Sequence, residues 1–171
     1  MKQWQISILA GFFRTLCGVR RMRPEGLPEG PKVFYANHTS HLDFTVIWAA
    51  MPESVRCQVR PVAGRDYWIR NSLRRYVAGA IFNALLIERK QVTRENNPIE
   101  AMSQALDSGS SLIVFPEGTR GHGTAPKAFK PGLYHLHRKC PDVPLIPVYL
   151  QNLNRMMPKG TLLPIPLITH I

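Results

Sequence analysis

Acidic residues are scarce in this chain: 11 Asp and Glu stand against 22 Lys and Arg, a net charge of +11 over 171 residues. A surplus of that size favours an anionic partner, whether a nucleic acid, the face of an anionic bilayer or an acidic substrate, without choosing among them. Cysteine is scarce too. Cys17, Cys57 and Cys140 are odd in number and far apart, with no Cys-x-x-Cys pair, so neither a disulfide framework nor a zinc cluster is indicated and a reducing compartment fits. His38 with His41 and His135 with His137 lack the His-Glu-x-x-His spacing of a metal site, so no metal is expected. No helix-turn-helix, RNA-binding motif or zinc-finger spacing accompanies the charge, which removes the main support for a nucleic-acid partner. No Gly-x-Ser-x-Gly occurs either, and with it goes the usual setting for an acyl-enzyme serine. The hydrophobic fraction of 44% is ordinary for a soluble fold. No internal repeat and no low-complexity tract is present.

The chain offers two strand ends that each empty into polar residues. Val33-Phe34-Tyr35-Ala36 follows a Gly-Pro turn and reads as a buried strand, and Asn37, Thr39 and Ser40 just beyond it supply cap chemistry for a helix. In a continuous helix residues five apart point about 140° away from each other, so His38 and Asp43 meet only if His38 precedes the helix and Asp43 reaches back from its first turn. That arrangement fixes the imidazole tautomer and leaves the second ring nitrogen free as a base. Taken alone, such a pair is also common on protein surfaces. The second strand, Ser111 to Phe115, empties into Pro116-Glu117-Gly118-Thr119-Arg120. Ligands of open parallel sheets bind outside the carboxyl ends of strands, so two such clusters are placed to share one cleft.

The rest of the chain alternates between the two periodicities. Trp4, Ile8, Leu9, Phe12, Phe13, Leu16 and Cys17 form one apolar helical stripe closed by Arg20, Arg21 and Arg23. Its apolar part is short of the ~20 residues that span a hydrocarbon core. Two readings stay open for it: a helix packed on the core, or one lying in the membrane interface with its arginines towards headgroups, the second favoured by the flanking aromatic and basic residues. Residues 24–31 are turn formers. A helix over 44–51, a strand over 55–63 broken by Pro61, and a helix from Tyr67 to about Asn83 with Ile69, Leu73, Tyr76 and Val77 as its apolar face are expected next. Arg70, Arg74 and Arg75 on that helix fit a solvated face as well as a lipid-phosphate or coenzyme contact. A short strand over 84–87 precedes Glu88-Arg89, Asn97-Pro98 starts a helix carrying Ile99, Met102 and Leu106, and a loop from Gly121 leads to a short helix near Leu133 and a strand over 143–150. Strands alternating with helices imply an α/β fold: a mixed, largely parallel sheet flanked by helices, with a short N-terminal amphipathic helix over 1–22 and one domain over 23–171.

Asn37-His38-x4-Asp43, Phe115-Pro116-Glu117-Gly118-Thr119-Arg120 and Leu145-Ile146-Pro147-Val148 together resemble the glycerolipid acyltransferases, above all the 1-acylglycerol-3-phosphate acyltransferases, over a span from about Arg23 to Leu167. The resemblance implies transfer of a fatty acyl group from acyl-CoA or acyl-carrier protein, a donor substrate and not a cofactor, to the hydroxyl of a lysophospholipid. The acceptor it implies first is 1-acylglycerol-3-phosphate, giving phosphatidic acid. Another lysolipid acceptor, or a non-catalytic basic membrane-binding module, is the alternative. By resemblance and by chemistry His38 is the base and Asp43 its orienter. Arg120 is the leading phosphate contact, supported by Arg89 and Lys130, with Glu117 ordering the arginine or meeting an acceptor hydroxyl and Gly118 and Thr119 shaping the loop. Arg89 matches the family's second motif, but Gly79 and Phe82 lie further back from it than the family pattern has them. The implied setting is an anionic membrane surface, approached from the cytoplasmic face. Enzymes of this kind usually continue through at least another strand, so the chain is expected to be either a short member or a fragment.

Overall fold

In a computed structural model, residues 3–19, 25–40, 42–121, 125–151 and 153 of the chain are described. Strand β1 (Val33–Ala36) lies inside the sheet, paired in parallel with two later strands. Its alternation explains why a short apolar run suffices: Val33 points into one hydrophobic layer, Phe34 and Ala36 into the other, and all three are buried. The other strands are β2 (Val59–Gly64), β3 (Leu85–Ile87), β4 (Ser111–Val114) and β5 (Leu145–Val148). They form one five-stranded sheet in the order β3-β2-β4-β1-β5, with every pairing parallel. The expected mixed sheet is therefore wholly parallel among the described residues. All five carboxyl ends emerge on one side.

Helices cover both faces, as a parallel sheet requires. On one face lie α1 (Gln3–Cys17), α2 (Asp43–Ala50) and a π-helical turn (Val77–Ile81). Phe34, Ile113, Val46, Ile47, Trp48 and Phe82 form the layer they share. On the other face α6 (Pro98–Asp107) and α7 (Gly132–Lys139) pack Met102, Leu106 and Leu136 onto Val33 and Leu112. Asn97 caps α6 by accepting from the Ile99 N–H, with Pro98 in the first turn, as the sequence predicts.

Two sequence expectations are corrected here. Pro61 does not break its strand: residues 59–61 are in register with β4 and residues 62–64 with β3, so the missing N–H falls where pairing passes from one neighbour to the other. A short helix, α3 (Glu53–Arg56), occupies the start of the span expected to be strand. The continuous helix over 67–83 is also absent. The chain forms α4 (Arg65–Trp68), breaks, restarts as α5 (Ser72–Tyr76) and runs into the π-helical turn. Asn71 causes the restart, because its side chain accepts from the Arg74 N–H as an N-cap. Ile69, Leu73 and Tyr76 consequently face solvent, while Val77 packs on the core.

The N-terminal helix packs one side on the core and leaves the other exposed. Ala10 and Cys17 are buried and Ile6, Leu9, Phe13 and Leu16 pack on the same core, with the Arg14 guanidinium donating to the Ala49 carbonyl at 3.1 Å near the end of α2. Trp4, Ile8 and Phe12, one turn apart, are each more than half exposed, at 58%, 64% and 59%.

Candidate active site

His38 follows β1 directly and Asp43 opens α2, so the chain turns between them and brings the two side chains face to face. Asp43 is fully buried, and its Oδ2 accepts from His38 Nδ1 at 2.7 Å. The same oxygen accepts from the backbone N–H of Thr39 at 2.6 Å and of Ser40 at 2.9 Å. A carboxylate that takes backbone donors is acting as an acceptor, so the shared ring proton belongs on Nδ1 and Nε2 is left with its lone pair. The imidazole is stacked on Phe115 with centroids 4.3 Å apart, and its side chain keeps 23% of its exposure. The spacing of His38 and Asp43 thus lets the two side chains meet across the strand-to-helix turn.

The cap residues are used differently from expectation. Leu42, not Asn37, Thr39 or Ser40, occupies the N-cap position of α2. Ser40 Oγ accepts from the Leu42 N–H, and Asn37 reaches across to the end of β5, where it donates to the Leu150 carbonyl at 2.9 Å and accepts from the Leu150 N–H at 2.7 Å. The backbone donors just after β1 are committed as well. His38 N–H is held by Glu117 and those of Thr39 and Ser40 by Asp43, so none of the three is free to face an oxyanion.

The loop after β4 meets the first corner through that backbone. Glu117, only 4% exposed, accepts the His38 N–H on Oε1 at 2.9 Å, and Gly121 N–H donates to the His38 carbonyl at 2.7 Å. Glu117 therefore fixes the peptide that carries the imidazole, and it does not pair with Arg120. Gly118 has φ +70°, a conformation that favours glycine, and the end of the Lys130 side chain lies across it, 2.9 Å from where a Cβ would stand. Thr119 is exposed. Arg120 is half-buried, with Nη1 buried and without a hydrogen-bond partner among the described residues. Lys127 Nζ donates to the Arg120 carbonyl at 3.3 Å.

Arg89, beyond β3, bends back over β2 towards this loop. Its Nη1 lies 3.4 Å from the Gly118 carbonyl, while Nε and Nη2 donate to Asp66 Oδ1 at 3.2 and 2.7 Å. Asp66 was not singled out by any sequence pattern. Nor was Phe115 as the surface on which the imidazole rests. The carboxyl ends of four adjacent strands therefore contribute: β1 His38, β4 Glu117 and Arg120, β2 Asp66 and β3 Arg89. His41 and His122 lie outside the described residues.

This is an imidazole with a free nitrogen, a buried orienting carboxylate and a cluster of cations at the mouth of a parallel sheet. A family model described as Acyltransferase matches residues 19–151. The chain belongs to the acyltransferase family. Among curated members it is 34% identical over 131 residues to 1-acyl-sn-glycerol-3-phosphate acyltransferase alpha of Mus musculus, covering 73% of this chain and 42% of that one. It is 29% identical over 140 residues to 1-acyl-sn-glycerol-3-phosphate acyltransferase of Escherichia coli, covering 74% and 52%. The chain spans about half the length of these acyltransferases. A crystal structure of the 1-acyl-sn-glycerophosphate acyltransferase PlsC from Thermotoga maritima shares the fold, with a TM-score of 0.70 at 20% identity over 93% of this chain and 61% of that one.

Proposed function

We propose that the protein transfers a fatty acyl group from an acyl thioester, acyl-CoA or acyl-carrier protein, to the free hydroxyl of 1-acylglycerol-3-phosphate, giving phosphatidic acid. The observation that carries this reading is the 2.7 Å contact of His38 Nδ1 with the buried Asp43 carboxylate, which leaves Nε2 as a proton acceptor at the cleft. Nε2 takes the hydroxyl proton as the acceptor oxygen attacks the thioester carbonyl. The tetrahedral intermediate collapses, the C–S bond breaks, and the departing thiolate takes the proton back from the imidazolium. Asp43 stabilises the imidazolium between the two transfers. Arg120 and Lys130 meet the acceptor phosphate, since guanidinium and ammonium groups are the natural ligands of that anion. The reading is supported further by the relatives, which carry that activity in their names.

The acceptor lives in a bilayer, and the α1 stripe of Trp4, Ile8 and Phe12 is suited to lie in its interface while the opposite side of the helix packs on the core. Among the described residues no helix is long and apolar enough to cross a membrane. Exposed Ile69, Leu73 and Tyr76, interleaved with Arg70, Arg74 and Arg75, give a second surface of the same character. A cytoplasmic face agrees with the three free cysteines. The test is acyl transfer from labelled acyl-CoA to a panel of lysolipids with a no-acceptor control, together with sedimentation on anionic vesicles. Transfer confined to hydrolysis, or a triple Ser variant of residues 4, 8 and 12 that sediments like wild type, would remove the respective half of the proposal.

A further inference from the structure

Four cations gather on the loop after β4. Arg89 Nη1 is 3.4 Å from the Gly118 carbonyl, the Lys130 stem crosses Gly118, Lys127 donates to the Arg120 carbonyl, and Arg120 itself has a buried, unpartnered Nη1. Among the described residues only Arg89 of these four is ion-paired, to Asp66. Gly64 leaves room for the pair. Gly64 ends β2 opposite Ile87, and a Cβ at residue 64 would sit 2.1 Å from Arg89 Nε and 2.3 Å from its Cζ, so the guanidinium occupies the space that a side chain there would fill. Asp66, in the first turn of α4, then takes both Nε and Nη2 on Oδ1. The hydrogen bond and charge of Arg89 hold the Asp66 carboxyl below its ordinary range. At neutral pH the pair carries no net charge.

We propose that Asp66 is a positioning and specificity-determining residue: it holds Arg89 against the Gly118 loop with its charge compensated, leaving Arg120 and Lys130 to read the acceptor headgroup. This rests on the reading of the cleft as a lysolipid acceptor site. Two arginines and a lysine at full charge favour a phosphomonoester, which approaches two negative charges, over a phosphodiester headgroup, which carries one. Asp66 lowers that discrimination by cancelling one of the cations. It also has a cost in the reverse direction, since an Asp66 stripped of its arginine repels any phosphate placed nearby.

The two members of the pair therefore have opposite expected effects, whereas a purely structural strut has the same effect whichever end is removed. The probe is glycerol 3-phosphate, followed by calorimetry on the full chain, with kcat/KM for 1-acylglycerol-3-phosphate and for a lysolipid with a phosphodiester headgroup measured in parallel. With both side chains partly exposed, Asp66→Asn is expected to tighten glycerol 3-phosphate binding about two- to fivefold and to raise the monoester-to-diester preference through the acceptor KM, leaving the donor KM alone. Arg89→Ala is expected to weaken binding, and the double variant to return towards wild type. Asp66→Glu, which restores the charge, should restore the wild-type preference. Weaker or unchanged binding by Asp66→Asn, including binding undetectable in both proteins, overturns the proposal. So does a double variant that binds no more tightly than Arg89→Ala alone. If wild type acylates no lysolipid, the acceptor-site reading fails, and the calorimetric sign pattern still decides whether Asp66 controls anion binding at this loop.

Discussion

Replacing Asp43 by Asn keeps the side chain's size and leaves an amide oxygen able to accept from the N–H groups of Thr39, Ser40 and His38 Nδ1, so the corner can retain its shape. What disappears is the negative charge that steadies the imidazolium during transfer. Two unit charges about 4 Å apart in a site of effective dielectric near 20 attract by about 4 kcal/mol. Asp43 is fully buried but the His38 side chain keeps 23% of its exposure, and solvent reduces the figure to about 2 to 4 kcal/mol, or roughly 30- to 1,000-fold in kcat. The donor KM should stay near wild type, because the buried Asp43 carboxylate spends its Oδ2 on His38, Thr39 and Ser40 of its own chain. The assay is steady-state transfer from labelled acyl-CoA to 1-acylglycerol-3-phosphate, with circular dichroism to establish that the variant is folded. A folded Asp43→Asn enzyme within about threefold of wild-type kcat would refute the reasoning, since the charge would then contribute less than 1 kcal/mol to the transition state.

Other consequences are open to simpler measurements. Asn37→Ala removes both hydrogen bonds to Leu150 in a buried setting, and chemical denaturation should show a loss of about 1 to 3 kcal/mol. Arg120→Ala should raise the acceptor KM for a phosphorylated lysolipid by an amount worth about 1 to 3 kcal/mol, as for a charged hydrogen bond, while the donor KM changes little; the opposite split would mean that Arg120 faces the donor. Burial pushes the Cys17 thiol up to about 11, so at pH 8 a thiol reagent should label exposed Cys57 rapidly and reach Cys17 only when the protein is denatured.

The two corners were legible in the sequence because the information is local: an apolar run that ends in His38 and an acid five residues on is enough to fix a strand, a turn and the first turn of a helix. The same holds for α6, where Asn97, Pro98 and the spacing of Ile99, Met102 and Leu106 agree with one another. Legibility failed where a residue's partner is distant. Glu117 is 79 residues from the His38 peptide it holds, and Asn37 is 113 from Leu150. No periodicity encodes either contact. The stretch after β2 misled for a different reason: Ile69, Leu73 and Tyr76 are spaced like a buried helical face, but the cap at Asn71 breaks the helix and turns them to solvent. Asp66 carries no signal of its own in the sequence because its meaning depends on Arg89 folding back across β2.

The central claim is that His38 Nε2 removes the proton from the acceptor hydroxyl, and the most direct test is the rate of acyl transfer to 1-acylglycerol-3-phosphate by wild type and by His38→Ala, with the fold of each checked in the same preparation. General-base catalysis predicts that wild type makes phosphatidic acid and that the variant loses about 10²- to 10⁴-fold in kcat, with donor binding retained. A folded His38→Ala protein that transfers acyl groups at the wild-type rate would contradict the account.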